Sequence, residues 1–139
     1  MWRYLLAAVF LIVVTAQPGM AGEGQRRHKW GYSATYDACM NSGDAAKGIT
    51  SGMNNCTNAE AERQDKRLNE VYRDVMARLD SRQRIILRRS ERRWLAGRRA
   101  SCAKLAAPTG TGSLSLMMEN FCNLSDITER RKWLERYHP

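Results

Sequence analysis

The sequence predicts a small all-α domain that two disulfides hold together. Two long segments have apolar side chains at helical spacing, and no segment alternates with the period of two that a half-buried strand requires. Four cysteines follow an apolar leader, and an even number of cysteines in a small exported domain is typical of disulfides. These observations favour a helical hairpin with a short C-terminal helix packed against it.

The first 21 residues have the layout of a secretory signal peptide. Arg3 supplies a positive charge, residues 5–14 are apolar or alanine, and small residues follow. A transmembrane anchor is the alternative, but an apolar run of this length rises only about 15 Å as a helix, half of the roughly 30 Å hydrocarbon core. We therefore expect a cleaved leader and no membrane anchor after cleavage.

Two cleavage sites satisfy the small-residue rule, one after Ala16 and one after Ala21, and the helix breakers Pro18 and Gly19 favour the second. Cleavage after Ala21 leaves 118 residues, which is enough for one domain. It removes Arg3 but no acidic residue, so the net charge falls from +9 to +8. We expect a basic protein that is periplasmic or secreted.

All four cysteines lie after the leader, and they predict two disulfides. A zinc site is the alternative, but no two cysteines have the close spacing of a zinc knuckle and both histidines lie near the chain ends. We expect neither a metal nor a cofactor. Three pairings are possible from sequence, and we favour neighbour pairing, Cys39 with Cys56 and Cys102 with Cys122, because each bond then spans a glycine-containing segment. In chain-entropy models, a disulfide that closes a loop of this size stabilises the folded state by roughly 3 kcal/mol.

The segment between the leader and the first long helix has little helical pattern. Residues 22–35 begin polar and basic and are predicted to be a flexible lead-in, so the folded domain is assigned to residues 36–139. Residues 36–56 contain three glycines and several Asn, Ser and Thr residues, and they predict at most two short helical turns.

The first long helix is predicted over residues 58–79, which contain neither Gly nor Pro. Thr57 or Asn58 can cap its first turn. Its apolar stripe consists of Ala61, Leu68, Tyr72, Val75 and Leu79. This spacing is that of an amphipathic helix with one buried face.

Asp80 and Ser81 predict a break and a fresh cap, followed by a second helix over residues 82–105. So short a break predicts an antiparallel hairpin, in which Gly97 would allow close approach of the first helix. Projection at 100° per residue predicts an inward face of Ile86, Leu87, Ser90, Trp94, Gly97, Ser101 and Leu105. Arginines cover the opposite side, and Arg84, Arg88, Arg92 and Arg99 form a candidate polyanion-binding face.

Residues 108–113 predict a loop because they contain one proline and two glycines. One or two helical turns are predicted over residues 114–122. Ser125 can then cap a last helix over residues 126–137. The second disulfide would attach this helix to the hairpin.

Three spaced motifs carry a resemblance to a known family. They read Asp-x-x-Leu-Asn-x-x-Tyr, then Trp-x-x-x-Arg-x-x-x-Cys, then a closing Cys followed by Thr-x-x-Arg-x-x-Leu. Their residues are Asp65, Leu68, Asn69, Tyr72, Trp94, Arg98, Cys102, Cys122, Thr128, Arg131 and Leu134. In this order the sequence resembles the lysozyme inhibitor LprI-like family of exported bacterial proteins, over about residues 36–137.

The resemblance implies a disulfide-bonded helical domain in the periplasm or at the cell surface. Its namesake function is inhibition of lysozyme, which would occur by non-covalent protein binding. The chain departs from the family pattern at two positions. Glu91 stands where Gln is usual, and Arg99 stands where an Asp often follows the motif arginine. Unlike lipid-anchored relatives, the chain has no cysteine at the cleavage site for acylation.

Asp65 and Arg98 are predicted to form a structural ion pair. Both border the apolar stripes of their helices, and both lie at similar distances from the break at Asp80, so an antiparallel hairpin places them at similar heights. We expect this pair to stabilise the domain rather than to bind a ligand. Trp94 is assigned to the core because it lies on the predicted inward face of the second helix.

The sequence favours a binding protein over an enzyme. It contains no nucleophile motif and no phosphate-cradling loop, and its cysteines are expected to be oxidised. Lysozyme or another envelope protein is the first candidate partner, although a basic inhibitor would be repelled by a basic lysozyme at long range. A local acidic patch would reduce that repulsion, and its candidates are Glu60, Glu62, Asp65 and Glu70, or Asp44. The alternative is a binder of anionic wall polymers, lipid head groups or nucleic acid through the arginine face.

Overall fold

The computed structural model describes residues 30–139, and the predicted signal peptide lies outside this range. The described residues contain five α-helices and no strand, which confirms the predicted all-α class. None of these helices is both long enough and apolar enough to cross a membrane. The elements are α1 (Ala34–Met40), α2 (Gly43–Ala46), α3 (Thr50–Arg78), α4 (Ser81–Ala106), a 3-10 turn (Ala107–Thr109) and α5 (Ser113–Glu135).

The two disulfides join Cys39 to Cys56 and Cys102 to Cys122, so the predicted neighbour pairing is confirmed. The first ties α1 to the N-terminal part of α3. The second ties the end of α4 to the middle of α5. Each bond therefore connects two helices, and the segment of chain between them contains glycines.

Helix α3 begins two turns earlier than the sequence predicted, at Thr50 rather than near Asn58. Gly52 permits this start because it lies against α2, where an added Cβ would come within 2.6 Å of the Ala45 nitrogen. Thr57 is consequently inside the helix and fully buried, and its Oγ1 donates to the Met53 carbonyl at 2.8 Å. The close contact between Gly52 and α2 was not visible in a pattern of apolar residues.

Helix α4 begins as predicted, at a capping box in which Asp80 accepts from the Gln83 backbone and Gln83 accepts from the Asp80 backbone. Helix α5 is longer than predicted. Residues 114–122 and 126–137 were treated as separate elements, whereas one helix runs from Ser113 to Glu135. This segment contains neither Gly nor Pro, so nothing in its backbone requires an interruption at Ser125.

Helices α3 and α4 run antiparallel, and α5 packs on both of them. At the break, Arg84 Nε donates to the Met76 carbonyl at 2.9 Å. Further along, residues 65–72 and residues 88–95 line opposite sides of one groove. The backbones of α3 and α4 approach each other less closely than either approaches α5. Between the three helices lies a core of Leu68, Val75, Leu79, Leu87, Ile127 and Leu134.

The inward face of α4 is rotated from the predicted one. The prediction was right for Leu87, which is fully buried, and for Trp94, which packs against the core. The other large residues of the predicted face are exposed, Ile86 by 54% and Leu105 by 55%. Gly97 faces open space, so it permits no close helix contact. The buried positions of α4 are Leu87, Glu91, Cys102 and Ala106. The helical projection was guided by apolar residues, whereas one of the buried positions is Glu91. Its charge is neutralised by Arg130 of α5.

Residues 30–33, which the sequence placed in the flexible lead-in, are hydrogen-bonded to the helices. The backbone nitrogen and the hydroxyl of Ser33 donate to Glu60 at 2.8 and 2.6 Å. The Gly31 carbonyl accepts from Gln64 Nε2 at 3.1 Å and from Arg131 Nη2 at 3.4 Å. Arg131 is 1% exposed, and its Nε donates to Gln64 Oε1 at 2.9 Å. This network joins the start of the domain to α3 and α5.

Candidate functional site

A groove with a volume of about 340 Å³ separates α3 from α4. Helix α5 packs on both of these helices. Its lining residues are Asp65, Leu68, Asn69 and Tyr72 from α3, and Arg88, Glu91, Arg92, Trp94 and Leu95 from α4. Four of the family-motif positions thus lie in α3 along one groove, and Trp94 faces them from α4.

The two sides of the groove differ in charge. Exposed Asp65 lies on α3, and its carboxylate accepts from Asn69 Nδ2 at 3.1 Å. Exposed Arg88 and Arg92 lie on α4, one helical turn apart. Neither guanidinium makes an ion pair with any residue from Trp30 to Pro139. The groove therefore offers two free cations on one side and one carboxylate on the other.

The base of the groove is held by an ion pair between Glu91 and Arg130. Glu91 Oε1 accepts from Arg130 Nη2 at 2.6 Å and from Arg130 Nε at 2.9 Å. Arg130 Nη2 also donates to the Ser90 hydroxyl at 2.8 Å. The two ionic side chains are only 11% and 13% exposed. The Glu91 carboxylate thus supplies the negative charge that neutralises Arg130.

Trp94 lies between two guanidinium groups. The Cζ of Arg98 is 5.0 Å from the Trp94 ring centroid and that of Arg130 is 5.7 Å from it. Arg130 also stacks on Trp133 at 4.0 Å. Such contacts contribute about 0.5–2 kcal/mol each, depending on how far the cation is desolvated. Trp94 is thus a half-buried packing residue whose edge reaches the groove.

The predicted ion pair between Asp65 and Arg98 is not formed. Asp65 is exposed and bonds to Asn69, whereas Arg98 stacks on Trp94. The Nε and Nη1 atoms of Arg98 are buried and have no hydrogen-bond partner among the described residues. The prediction assumed that α3 and α4 touch at this height. The groove keeps them apart there, so equal distance from the break did not bring the side chains together.

The last motif lies away from the groove. Thr128 is buried and its Oγ1 donates to the Leu124 carbonyl at 2.8 Å. Arg131 is held by Gln64, Gly31 and Glu135, the last at 2.6 Å. Both residues therefore support the fold, and the sequence placed them correctly on one side of the last helix. Their partners were not predictable, because they come from segments distant in sequence.

The arginine face of α4 is smaller than predicted. Arg88, Arg92 and Arg99 are exposed, but Arg84 is partly buried because its Nε bonds to the end of α3. A shallow depression of about 230 Å³ adjoins the groove and is lined by Ile85, Arg88, Arg89 and Arg92. Ile85 is 57% exposed, so the outer face of this helix mixes cations with apolar surface.

The candidate acidic patch does not include Glu60, because Glu60 is fully buried. Burial raises the pKa of Glu60, but hydrogen bonds from Ser33, Gln64 and Arg63 outweigh that effect and leave the pKa below its ordinary value. Glu60 is consequently an ionised structural group. Glu62, Asp65 and Glu70 remain exposed on α3.

The described residues contain one group that meets the distance criterion for a metal site, formed by Cys102, Cys122 and Asp126. Both sulfurs are joined in a disulfide, so neither is a thiolate that could bind a cation. The nearest approach of the carboxylate is Asp126 Oδ2, 3.9 Å from Cys102 Sγ. This group is therefore a structural disulfide with a neighbouring acid.

A family model described as "Lysozyme inhibitor LprI" matches residues 39–134. The match begins at Cys39 and ends at Leu134, so it contains both disulfides, the groove and all three motifs. No curated protein and no solved structure matches the chain.

Proposed function

The chain belongs to the lysozyme inhibitor LprI family, and we propose that it is a periplasmic or secreted protein that binds lysozyme non-covalently and inhibits it. The family is one of inhibitors rather than enzymes, which supports a binding role. The observation that carries the proposal is the groove, which is lined among others by Tyr72, Arg88, Arg92, Trp94 and exposed Leu95. Tyr, Trp and Arg are the residue types most enriched at energetic centres of protein interfaces.

The principal physical difficulty of this proposal is charge. The chain has a net charge of +9, and a basic lysozyme would be repelled at long range. The buried position of Glu60 makes the difficulty larger, because it removes one carboxylate from the surface. Affinity would then have to come from short-range contacts, with slow association at low salt. The dependence of the association rate on ionic strength therefore tests the proposal directly.

The test is a lysozyme activity assay with the mature, oxidised protein at low and at physiological salt. We expect inhibition at micromolar excess, with association that becomes faster as salt screens the repulsion. The same protein with both disulfides reduced and alkylated is the control, because loss of the fold should abolish inhibition. No inhibition by the oxidised protein at either salt concentration would refute the proposal.

A second candidate function is supported by the exposed arginines of α4. Arg88, Arg92 and Arg99 make no ion pair with any residue of the described range, so they are available to an anionic polymer. Counterion release would drive such binding and make it strongly salt-dependent. Replacing the three arginines by Glu should abolish retention on a heparin column. Equal retention of this variant would argue against the second function.

A further inference from the structure

The basic side of the groove consists of two arginines that repel each other. Arg88 and Arg92 are four residues apart on α4, which places their Cβ atoms about 5–6 Å apart on one face. Like charges at this spacing destabilise a helix by a few tenths of a kcal/mol. Neither side chain has an anionic partner from Trp30 to Pro139. A ligand that presents two carboxylates to this face of α4 would remove the repulsion.

Lysozyme carries such a pair of carboxylates. A retaining glycosidase of this kind needs two carboxyl groups, about 5–5.5 Å apart, on either side of the bond that it cleaves. Each guanidinium can bind one carboxylate in a bidentate manner. The catalytic cleft is therefore a part of lysozyme whose negative charge complements Arg88 and Arg92.

Apolar contacts next to the arginines would add to the affinity. Leu95 is 53% exposed and lies one turn beyond Arg92, and Tyr72 faces it from α3. Covering them would exclude water from the ion pairs, and ion pairs are stronger where water is excluded.

We propose that Arg88 and Arg92 dock onto the two catalytic carboxylates of lysozyme, so that the α4 side of the groove closes the cleft to substrate. This inference rests on the proposed function, and it identifies the residues of each partner that form the contact. It also explains how a basic protein can bind a basic enzyme, since the contact is made at the enzyme's acidic centre.

The first test compares two double variants, R88A/R92A and R89A/R93A. Both lose two exposed arginines four residues apart on α4, so they have equal net charge. We expect R88A/R92A to weaken the inhibition constant roughly thirtyfold or more and R89A/R93A to change it by less than about threefold. Equal loss in both variants would overturn the inference, because a general charge effect would explain it.

The second test changes the enzyme. Lysozyme with both catalytic carboxylic acids replaced by amides should bind the wild-type protein roughly thirtyfold more weakly, as measured by calorimetry. One of the two acids has a pKa of about 6, so wild-type affinity should also rise between pH 5 and pH 7.5, and R88A/R92A should lack this rise.

The outcomes separate this inference from the proposed function. Wild-type binding that is unchanged by the amide replacements refutes the docking site and leaves lysozyme binding intact. Absence of wild-type binding to unmodified lysozyme refutes both. Circular dichroism of each variant establishes that a loss of affinity is not a loss of fold.

Discussion

Glu91 of α4 and Arg130 of α5 form a largely buried ion pair, with Glu91 Oε1 2.6 Å from Nη2 and 2.9 Å from Nε. The same guanidinium stacks on Trp133 and approaches Trp94. One arginine therefore connects α5 to the base of the groove through both charge and aromatic contacts. Because the pair is nearly shielded from water, its loss should be measurable as a change in stability.

Replacing Glu91 by Gln should lower the free energy of unfolding by about 1–2 kcal/mol. The amide keeps the shape and one acceptor, but it leaves Arg130 with a buried charge and no counterion. Urea unfolding of the two proteins measures the difference. Glu70→Gln is the matched control, since Glu70 is exposed and unpaired in the described range, and it should change stability by less than about 0.5 kcal/mol. Equal effects of the two replacements would contradict the role of the pair.

Acid should destabilise the domain partly through Glu60. The folded-state pKa of Glu60 is lowered, so folding favours its ionised form. This contribution is fully present above the unfolded-state pKa of about 4.3 and is lost as the pH falls through the folded value. Unfolding of wild-type and Glu60→Gln proteins from pH 7 to pH 3 tests this. The stability difference should be largest near neutral pH and shrink below about pH 4.3. A difference that is constant with pH would be inconsistent with the lowered pKa.

Two glycine-to-alanine replacements should have opposite effects. At Gly52 a Cβ would approach the Ala45 nitrogen to 2.6 Å, so Gly52→Ala should destabilise by about 1–3 kcal/mol. At Gly97 a Cβ meets nothing within 4 Å and the backbone is helical, so Gly97→Ala should stabilise by about 0.5–1 kcal/mol. Thermal melting of both variants provides the comparison. A stabilising Gly52→Ala would mean that α2 does not contact α3 closely.

A double-mutant cycle should show no coupling between Asp65 and Arg98. The variants are Asp65→Asn, Arg98→Met and their combination, and the coupling energy should be below about 0.5 kcal/mol because the ion pair is absent. The second replacement removes two buried donors that have no acceptor, so it should cost little stability beyond its contact with Trp94. A coupling energy above about 1 kcal/mol would show that Asp65 and Arg98 interact, as the sequence predicted.

The sequence by itself determined the all-α class and the family, and it favoured the neighbour pairing of cysteines that the structure confirms. Helical spacing and a short capped break are local properties, and neighbouring cysteines close short loops, so these features depend on few distant contacts. The motif spacing likewise identifies residues on one face of α3 without any knowledge of their partners. Asp80 illustrates this best, because its capping box is complete within four residues of chain.

The tertiary structure decided which polar residues lie inside and what they contact. Glu91 is buried because Arg130 neutralises it, and Glu60 is buried because Ser33 and Gln64 bond to it. A pattern based on apolar residues places such groups outside, which is why the inward face of α4 was rotated. The groove itself follows from α5 packing on both long helices and holding their backbones apart. That distance separates Asp65 from Arg98 and leaves Arg88 and Arg92 free, so it decides which charges are available to a partner.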